Sequence, residues 1–391
     1  MNKDFLYIST FCFDNMFDYL QKTSFRNSGH SIQKFHKLIL KGLEENLSNN
    51  YIIALSSIPV TSKTHSRIFW NFNNENLKKL KLIYIPFLNF LFFKNLIEFI
   101  YTFFFVLFYR KRDLSIIVDC LKLTPSSAAF LASRIRGFNV VAIVTDIPGI
   151  NIFQNTLKGR LKSFIIKSFV NLYDGYVLSS KYMNPVVNKH NKVSVVMECL
   201  VDDIISKTKN ISKHKIILYS GGLFLNYGVE DLIYAFIKLK GDDLRLHLYG
   251  YGELYDVRDK YTNLDMRIIF FGTVVNSEMV QKQQEATLLV NPRYSNTLIA
   301  KYCFPGKNME YMASGTPFLG TLLPAIPNEY HKFMYHIKDE TVDGLHKVLS
   351  NIMIKNTQEL NNFGNNAKEF IAKNKNKKIQ ASKIINLFEK I

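Results

Sequence analysis

The chain is 391 residues long and 47% apolar, with 50 Lys and Arg against 32 Asp and Glu, a formal charge of +18. That apolar content excludes a disordered chain, and the length points to two domains rather than one core. The charge demands an anionic partner, while Cys12, Cys120, Cys199 and Cys303, far apart with no Cys-x-x-Cys, exclude a zinc ribbon or disulfide scaffold and suit a reducing compartment.

Residues 2–10 read as a first strand with no small-residue cleavage site after it, so no signal peptide is expected. Short apolar runs at 6–10, 51–55, 81–85, 114–118, 140–144 and 175–178 are predicted as buried strands, with longer helical patterns between them. Residues 31–43 carry Ile32, Phe35, Leu38, Ile39 and Leu43 at helical spacing, capped by Gly29 and Ser31. The aromatic stretch 83–109 resembles a membrane segment. Lys94 and Glu98 interrupt it, and its longest uncharged run, 99–109, falls short of the roughly 20 residues a span needs. It is predicted as a helix against the sheet, partly facing lipid, with Arg110-Lys111-Arg112 at its end.

Residues 206–215 are polar and without periodicity, and are predicted as an interdomain linker. Alternation then restarts, with strands at 215–220, 244–249, 267–271, 288–290 and 317–320. Strand–helix alternation in both halves predicts parallel doubly wound sheets, an α/β class. The closing segment 377–391 is basic and amphipathic.

Four stretches carry candidate chemistry. In residues 304–317, Pro305 and Gly306 open a helix, Lys307 and Glu310 stand one turn apart, and Gly315 closes it before Pro317. A helix starting where a strand has ended puts its positive N-terminus where α/β proteins bind phosphates, although Lys307 and Glu310 could instead pair with each other. Arg293 follows the strand ending in Asn291-Pro292, and an arginine fork suits a phosphate. Gly221 and Gly222 follow a strand and allow backbone N–H groups to approach an anion, or serve as a tight turn. Gly250-Tyr251-Gly252-Glu253 is a similar loop. In the first half, Asp146 ends a strand, where it could act on a substrate or cap the next segment. There is no Asp-x-Asp, no cluster at metal-ligand spacing, no G-x-S-x-G elbow and no P-loop, so no metal is expected. No nucleic-acid-binding motif appears either.

The 304–317 stretch resembles the donor-binding helix of the family 4 retaining glycosyltransferases, closest to bacterial members that build surface polysaccharides. The likeness runs through Tyr219-Ser-Gly-Gly-Leu, Leu248-Tyr-Gly-Tyr-Gly-Glu, Phe271-Gly-Thr, residues 286–293, Gln33-Lys-Phe and residues 144–149. It implies two Rossmann-like domains facing across a cleft, the architecture called GT-B. Residues 1–205 would bind the acceptor, 206–376 the nucleotide sugar, and 377–391 would cross back to the first domain.

The resemblance implies that Glu310 binds the donor ribose and that Gly221, Gly222, Gly252, Arg293, Lys301 and Lys307 line the donor site. Lys307 and Asp146 would be catalytic. Many members have Arg at the position of Gly222 and Lys at that of Tyr227, and a first Glu at that of Tyr302; Arg293, Lys301 and Lys307 are the replacement cations. The implied reaction is sugar transfer from a nucleotide diphosphate sugar to a lipid-linked or oligosaccharide acceptor, with no further cofactor. The expected location is the cytoplasmic face of an anionic membrane. A nucleotide-sugar epimerase of the same architecture and a catalytically silent assembly partner are the alternatives.

Overall fold

A computed structural model describes residues 4–25, 30–47, 50–147, 156–202 and 214–391. Most of the expected linker, Gly29, and Pro148 and Gly149 lie outside the described residues. The chain divides into two compact units, residues 1–200 with 377–391, and residues 201–376.

The first unit is built on an eight-stranded sheet. Its elements are β1 (Asp4–Ser9), α1 (Asp14–Lys22), α2 (His30–Asn46), β2 (Ile52–Ser56), β3 (Phe69–Trp70), β4 (Glu75–Leu77), β5 (Leu80–Tyr84) and β6 (Phe87–Leu88). They continue with α3 (Leu91–Leu107), β7 (Leu114–Asp119), α4 (Leu123–Arg136), β8 (Asn139–Val144), α5 (Leu157–Val170), β9 (Gly175–Leu178), α6 (Asn184–Val187) and β10 (Val193–Val196). Spatial order is β10-β9-β8-β7-β1-β2-β5-β4, parallel throughout except for β4, which pairs antiparallel with β5 at the edge. β1 and β7 are buried along their whole length, as expected where helices cover both faces. The small pair β3–β6 lies outside this sheet and stacks Trp70 on Phe87.

The second unit holds a six-stranded, all-parallel sheet in the order β13-β12-β11-β14-β15-β16. Its elements run β11 (Lys215–Ser220), α7 (Val229–Ile237), β12 (Leu244–Tyr249), α8 (Glu253–Asp256), α9 (Arg258–Leu264), β13 (Ile268–Gly272), α10 (Asn276–Glu285) and β14 (Leu288–Asn291). They end with α11 (Leu298–Tyr302), α12 (Gly306–Ser314), β15 (Phe318–Thr321), β16 (Tyr335–Ile337), α13 (Val342–Met353) and α14 (Thr357–Asn374).

The last helix, α15 (Lys377–Phe388), returns to the first unit. There it packs along α2, with Ala381, Ile384, Leu387 and Phe388 buried in that unit's core. A side chain at Gly42 would collide with the Lys377 carbonyl, so the missing Cβ permits the close approach of the two helices. Gln380 donates to the Glu198 carboxylate at 2.9 Å and to the Cys199 carbonyl at 3.1 Å, tying the returning helix to the segment that leaves the unit.

The helix α3 is oriented against its composition. Its buried stripe is Lys94, Glu98, Thr102 and Val106, and its exposed stripe is Phe92, Leu96, Ile100, Phe104 and Phe108. The inward charges are satisfied locally. Lys94 Nζ donates to the carbonyls of Ile58 (2.9 Å) and Val60 (2.7 Å), stands over the Phe87 ring and pairs with Glu98 at 3.6 Å. Glu98 in turn accepts a short hydrogen bond from Ser57. The two charges thus fasten the loop after β2, which would otherwise bury unpaired carbonyls. Among the described residues no helix is long and apolar enough to cross a membrane.

Candidate active site

The helix α12 forms as its sequence predicts: Pro305 is the N-cap, and Gly315 ends it with φ 78°, a left-handed turn that favours glycine. Met309, Tyr311 and Met312 are fully buried, and this packing fixes the helix beside the end of β11. The Tyr311 hydroxyl accepts from the Ser220 N–H at 2.8 Å and lies 3.2 Å from the Ser220 carbonyl. Asn308 and Asn291 join through a 2.6 Å buried hydrogen bond, which holds the end of β14 to the first turn of α12.

That frame gathers Lys307, Arg293, Tyr219 and Tyr227. Lys307 Nζ lies 2.9 Å from the Tyr219 hydroxyl, 4.3 Å from the centre of its ring and 5.9 Å from that of Tyr227. The Arg293 guanidinium stands over the other aromatic, 4.5 Å from the Tyr227 ring centre. Burial depresses the Lys307 ammonium to about 7; the nearby Arg293 charge pushes the same way, and Glu310 opposes both. Two cations held beside aromatic rings, with Glu310 as the nearby carboxylate, make a cluster of net positive charge, which favours an anion.

Glycines bring the backbone close to this cluster. A Cβ on Gly221 would strike the Lys307 ammonium, and one on Gly250 would overlap the Gly221 carbonyl. Gly221 donates its N–H to Tyr249 at 2.9 Å, so that amide is spent within the unit; no such backbone bond engages the Gly222 N–H among the described residues. A side chain at Gly222 would run into the Phe224 and Tyr227 rings. Aromatic groups thus occupy the direction in which an arginine at that position would extend. Gly252, at φ 151°, abuts the Leu223 carbonyl and starts α8. Between these glycines Tyr251 is exposed and lies against Tyr255, with ring centres 4.9 Å apart.

The remaining candidates sit differently. Glu310 is half-buried on α12, close enough to Lys307 to raise its proton affinity. Lys301 is exposed on α11 with its ammonium over the Tyr302 ring. Asp146 belongs to the first unit, just beyond β8, where it is half-buried near the Cys120 thiol. Burial, then Asp119 and Asp146, push that thiol's pKa up. At the same sheet edge the Tyr7 hydroxyl bonds His36 Nδ1 at 2.7 Å, and His36 Nε2 lies 3.4 Å from Asp119. Gln33 clamps the loop after β1, donating to the Thr10 carbonyl and accepting from the Cys12 N–H.

Sequence reasoning missed Tyr219 as the partner of Lys307, and the Tyr7–His36–Asp119 chain. An aromatic near the end of the strand that leads into Gly221-Gly222 was the available signal for Tyr219; nothing in the spacing of Tyr7, His36 and Asp119 announces their meeting.

Residues 214–352, which hold the Lys307–Arg293 cluster, match the family model described as glycosyl transferases group 1. No curated protein matches the chain. Among solved structures, the fold is similar to sucrose-phosphate synthase from Thermosynechococcus elongatus, with TM-score 0.72, 13% identity and 99% of each chain covered. It is similar to HepE of Anabaena in complex with UDP, with TM-score 0.66, 11% identity, and 99% of this chain and 100% of that one covered. A third likeness is to WaaB, a lipopolysaccharide outer core galactosyltransferase in its apo form, with TM-score 0.61, 15% identity and coverage of 99% and 100%. The fold is therefore α/β with parallel sheets in two units, the GT-B architecture of these enzymes.

Proposed function

We propose that the protein is a retaining glycosyltransferase that moves a sugar from a nucleoside diphosphate sugar to a hydroxyl of a lipid-linked or oligosaccharide acceptor in surface-polysaccharide synthesis. The observation that carries this reading is the coincidence of the matched family domain with a pocket of two cations at a helix N-terminus. A diphosphate carries the complementary charge. In the proposed site Lys307 and Arg293 bind its oxygens, with the first turn of α12 directing backbone N–H groups toward it. Glu310 accepts hydrogen bonds from the ribose, and the exposed Tyr251 ring offers a surface for the base. Lys301 and the backbone at Gly221, Gly222 and Gly252 border the donor.

Catalysis in this reading is positioning together with stabilisation of charge on the departing diphosphate. The depressed proton affinity of Lys307 suits that task, because an approaching anion restores the charge that burial disfavours. Asp146, from the first unit, orients the acceptor hydroxyl. The substrate-bearing neighbours support a uridine nucleotide as the first probe, since HepE was solved with UDP.

A second reading rests on Gly222 and Tyr227, which stand where many family 4 members carry cations: a catalytically silent assembly partner. Thermal-shift measurement against nucleoside diphosphates and their sugars separates the two. The transferase reading expects one nucleotide to raise the melting temperature of the full chain, and Arg293→Ala to abolish the rise. No shift with any nucleotide would remove the reading. Product formed without an acceptor would instead identify an epimerase.

A further inference from the structure

We infer that the helical face formed by α3, α4 and α5 docks on an anionic lipid bilayer, with the exposed stripe of α3 entering the interface. The inference does not depend on glycosyl transfer. These three helices link β5 to β7, β7 to β8 and β8 to β9, and each moves the chain the same way across the sheet. Right-handed crossovers therefore put all three on one face, opposite the layer formed by α2 and α15. A hydrogen bond from Arg136 to the Leu107 carbonyl joins the ends of α3 and α4 directly.

This face is apolar where a solvated face would be polar. On α3, Phe92 and Phe108 are each 71% exposed, with Leu96, Ile100 and Phe104 exposed between them. Leu131 and Ile135 continue the patch on α4. On α5, Leu157 is 85% and Phe164 69% exposed. The helix α3 has two charged residues and turns both inward, where Lys94 and Glu98 hold the loop after β2. An ordinary amphipathic helix would do the reverse. An apolar patch of this extent marks an interaction surface rather than chance exposure.

Charge selects the occupant. The sequences of α4 and α5 contain six Lys and Arg residues and no acidic one, Arg134 being paired with Asp174 at 2.8 Å, and the only acid of α3 is the buried Glu98. Arg110 and Arg112 are exposed directly after α3. A second copy would bring the same positive charge face to face with itself, whereas an anionic bilayer supplies both apolar depth and counter-charge.

The test is co-sedimentation of the full chain with vesicles rich in phosphatidylglycerol, or of phosphatidylcholine alone. Binding to the anionic vesicles should fall about tenfold or more in high salt, and by a similar factor on neutral vesicles. Phe104→Ser with Phe108→Ser, and separately Arg110→Glu with Arg112→Glu, should each weaken binding about tenfold without lowering the melting temperature. Ile354→Ser, an exposed apolar site in the second unit, should leave it unchanged. Protein remaining in the supernatant with phosphatidylglycerol vesicles at low salt overturns the inference. So does wild-type binding by either double variant. Self-association in ultracentrifugation that the Phe104/Phe108 variant abolishes, without vesicle binding, would assign the face to a second copy instead.

Discussion

The Lys307 ammonium lies 2.9 Å from the Tyr219 hydroxyl and 4.3 Å from the centre of that ring, at its hydroxyl end. The hydroxyl is itself held, donating to the Gly222 carbonyl at 2.7 Å. Such a partner orients a cation without neutralising it. Lys307 therefore keeps its need for counter-charge, and its pKa of about 7 makes that need depend on pH. A bound diphosphate raises the proton affinity, so binding takes up protons. Donor affinity is full below about pH 7 and declines above it, by up to about tenfold per pH unit, until the raised pKa of the complex is reached. Calorimetry in buffers of different ionisation enthalpy reads the uptake. A flat profile in the wild type, or an unchanged slope in Lys307→Met, contradicts the assignment.

Glu310→Ala is expected to weaken donor binding by about 1.5–3 kcal/mol, the range for a charge-assisted hydrogen bond, or roughly 10- to 150-fold in affinity. The nucleoside diphosphate alone should show most of this loss if the carboxylate contacts ribose. A loss seen only with the complete nucleotide sugar would move Glu310 to the sugar end.

Lys94 makes a stability prediction. Lys94→Met leaves the Glu98 carboxylate buried without its cation and should cost about 3–5 kcal/mol in denaturant unfolding. The double variant Lys94→Met with Glu98→Gln should recover part of that loss. The folded-state pKa of Lys94, lowered by burial to about 8, lies under its ordinary 10.5. Between those values the unfolded chain binds more protons, so this group's contribution makes stability rise with pH. In Lys94→Met that contribution should vanish.

Gly250→Ala should destabilise the second unit by about 3 kcal/mol or more, because the added methyl overlaps the Gly221 carbonyl at a φ of 138°. Gly137→Ala provides the contrast. Its φ of 70° is strained, but nothing surrounds the added atom, and the loss should stay near 1 kcal/mol.

Local signals carried most of the fold. The strands 175–178, 215–220 and 244–249 form where the apolar runs place them, and Pro305 and Gly315 mark both ends of α12, because turn chemistry and burial act over a few residues. Val193–Val196 and Tyr335–Ile337 escape such reading; they are short, and a partner strand rather than an apolar run makes them strands. The orientation of α3 is equally hidden. Hydropathy marks Lys94 and Glu98 as interruptions, while the carbonyls of Ile58 and Val60 that draw Lys94 inward, and the Ser57 hydroxyl that bonds Glu98, lie more than 30 positions away. At the candidate site the cations Arg293 and Lys307 were legible from their positions after strands. The use of the Gly221 N–H by Tyr249 was not, since it follows from the pairing of β11 with β12.

The return of α15 to the first unit bears on how the chain is made. Leu43 and Ile39 of α2 face a groove that Ala381, Ile384 and Phe388 fill, yet those residues leave the ribosome only after the whole of 201–376. The second unit, continuous in sequence, can complete its sheet as it emerges; the first must wait with an uncovered apolar strip. A nascent chain stalled before residue 377 would thus present a finished second unit attached to an unfinished first one. Chaperone capture should concentrate on the first 200 residues until residues 377–391 have emerged.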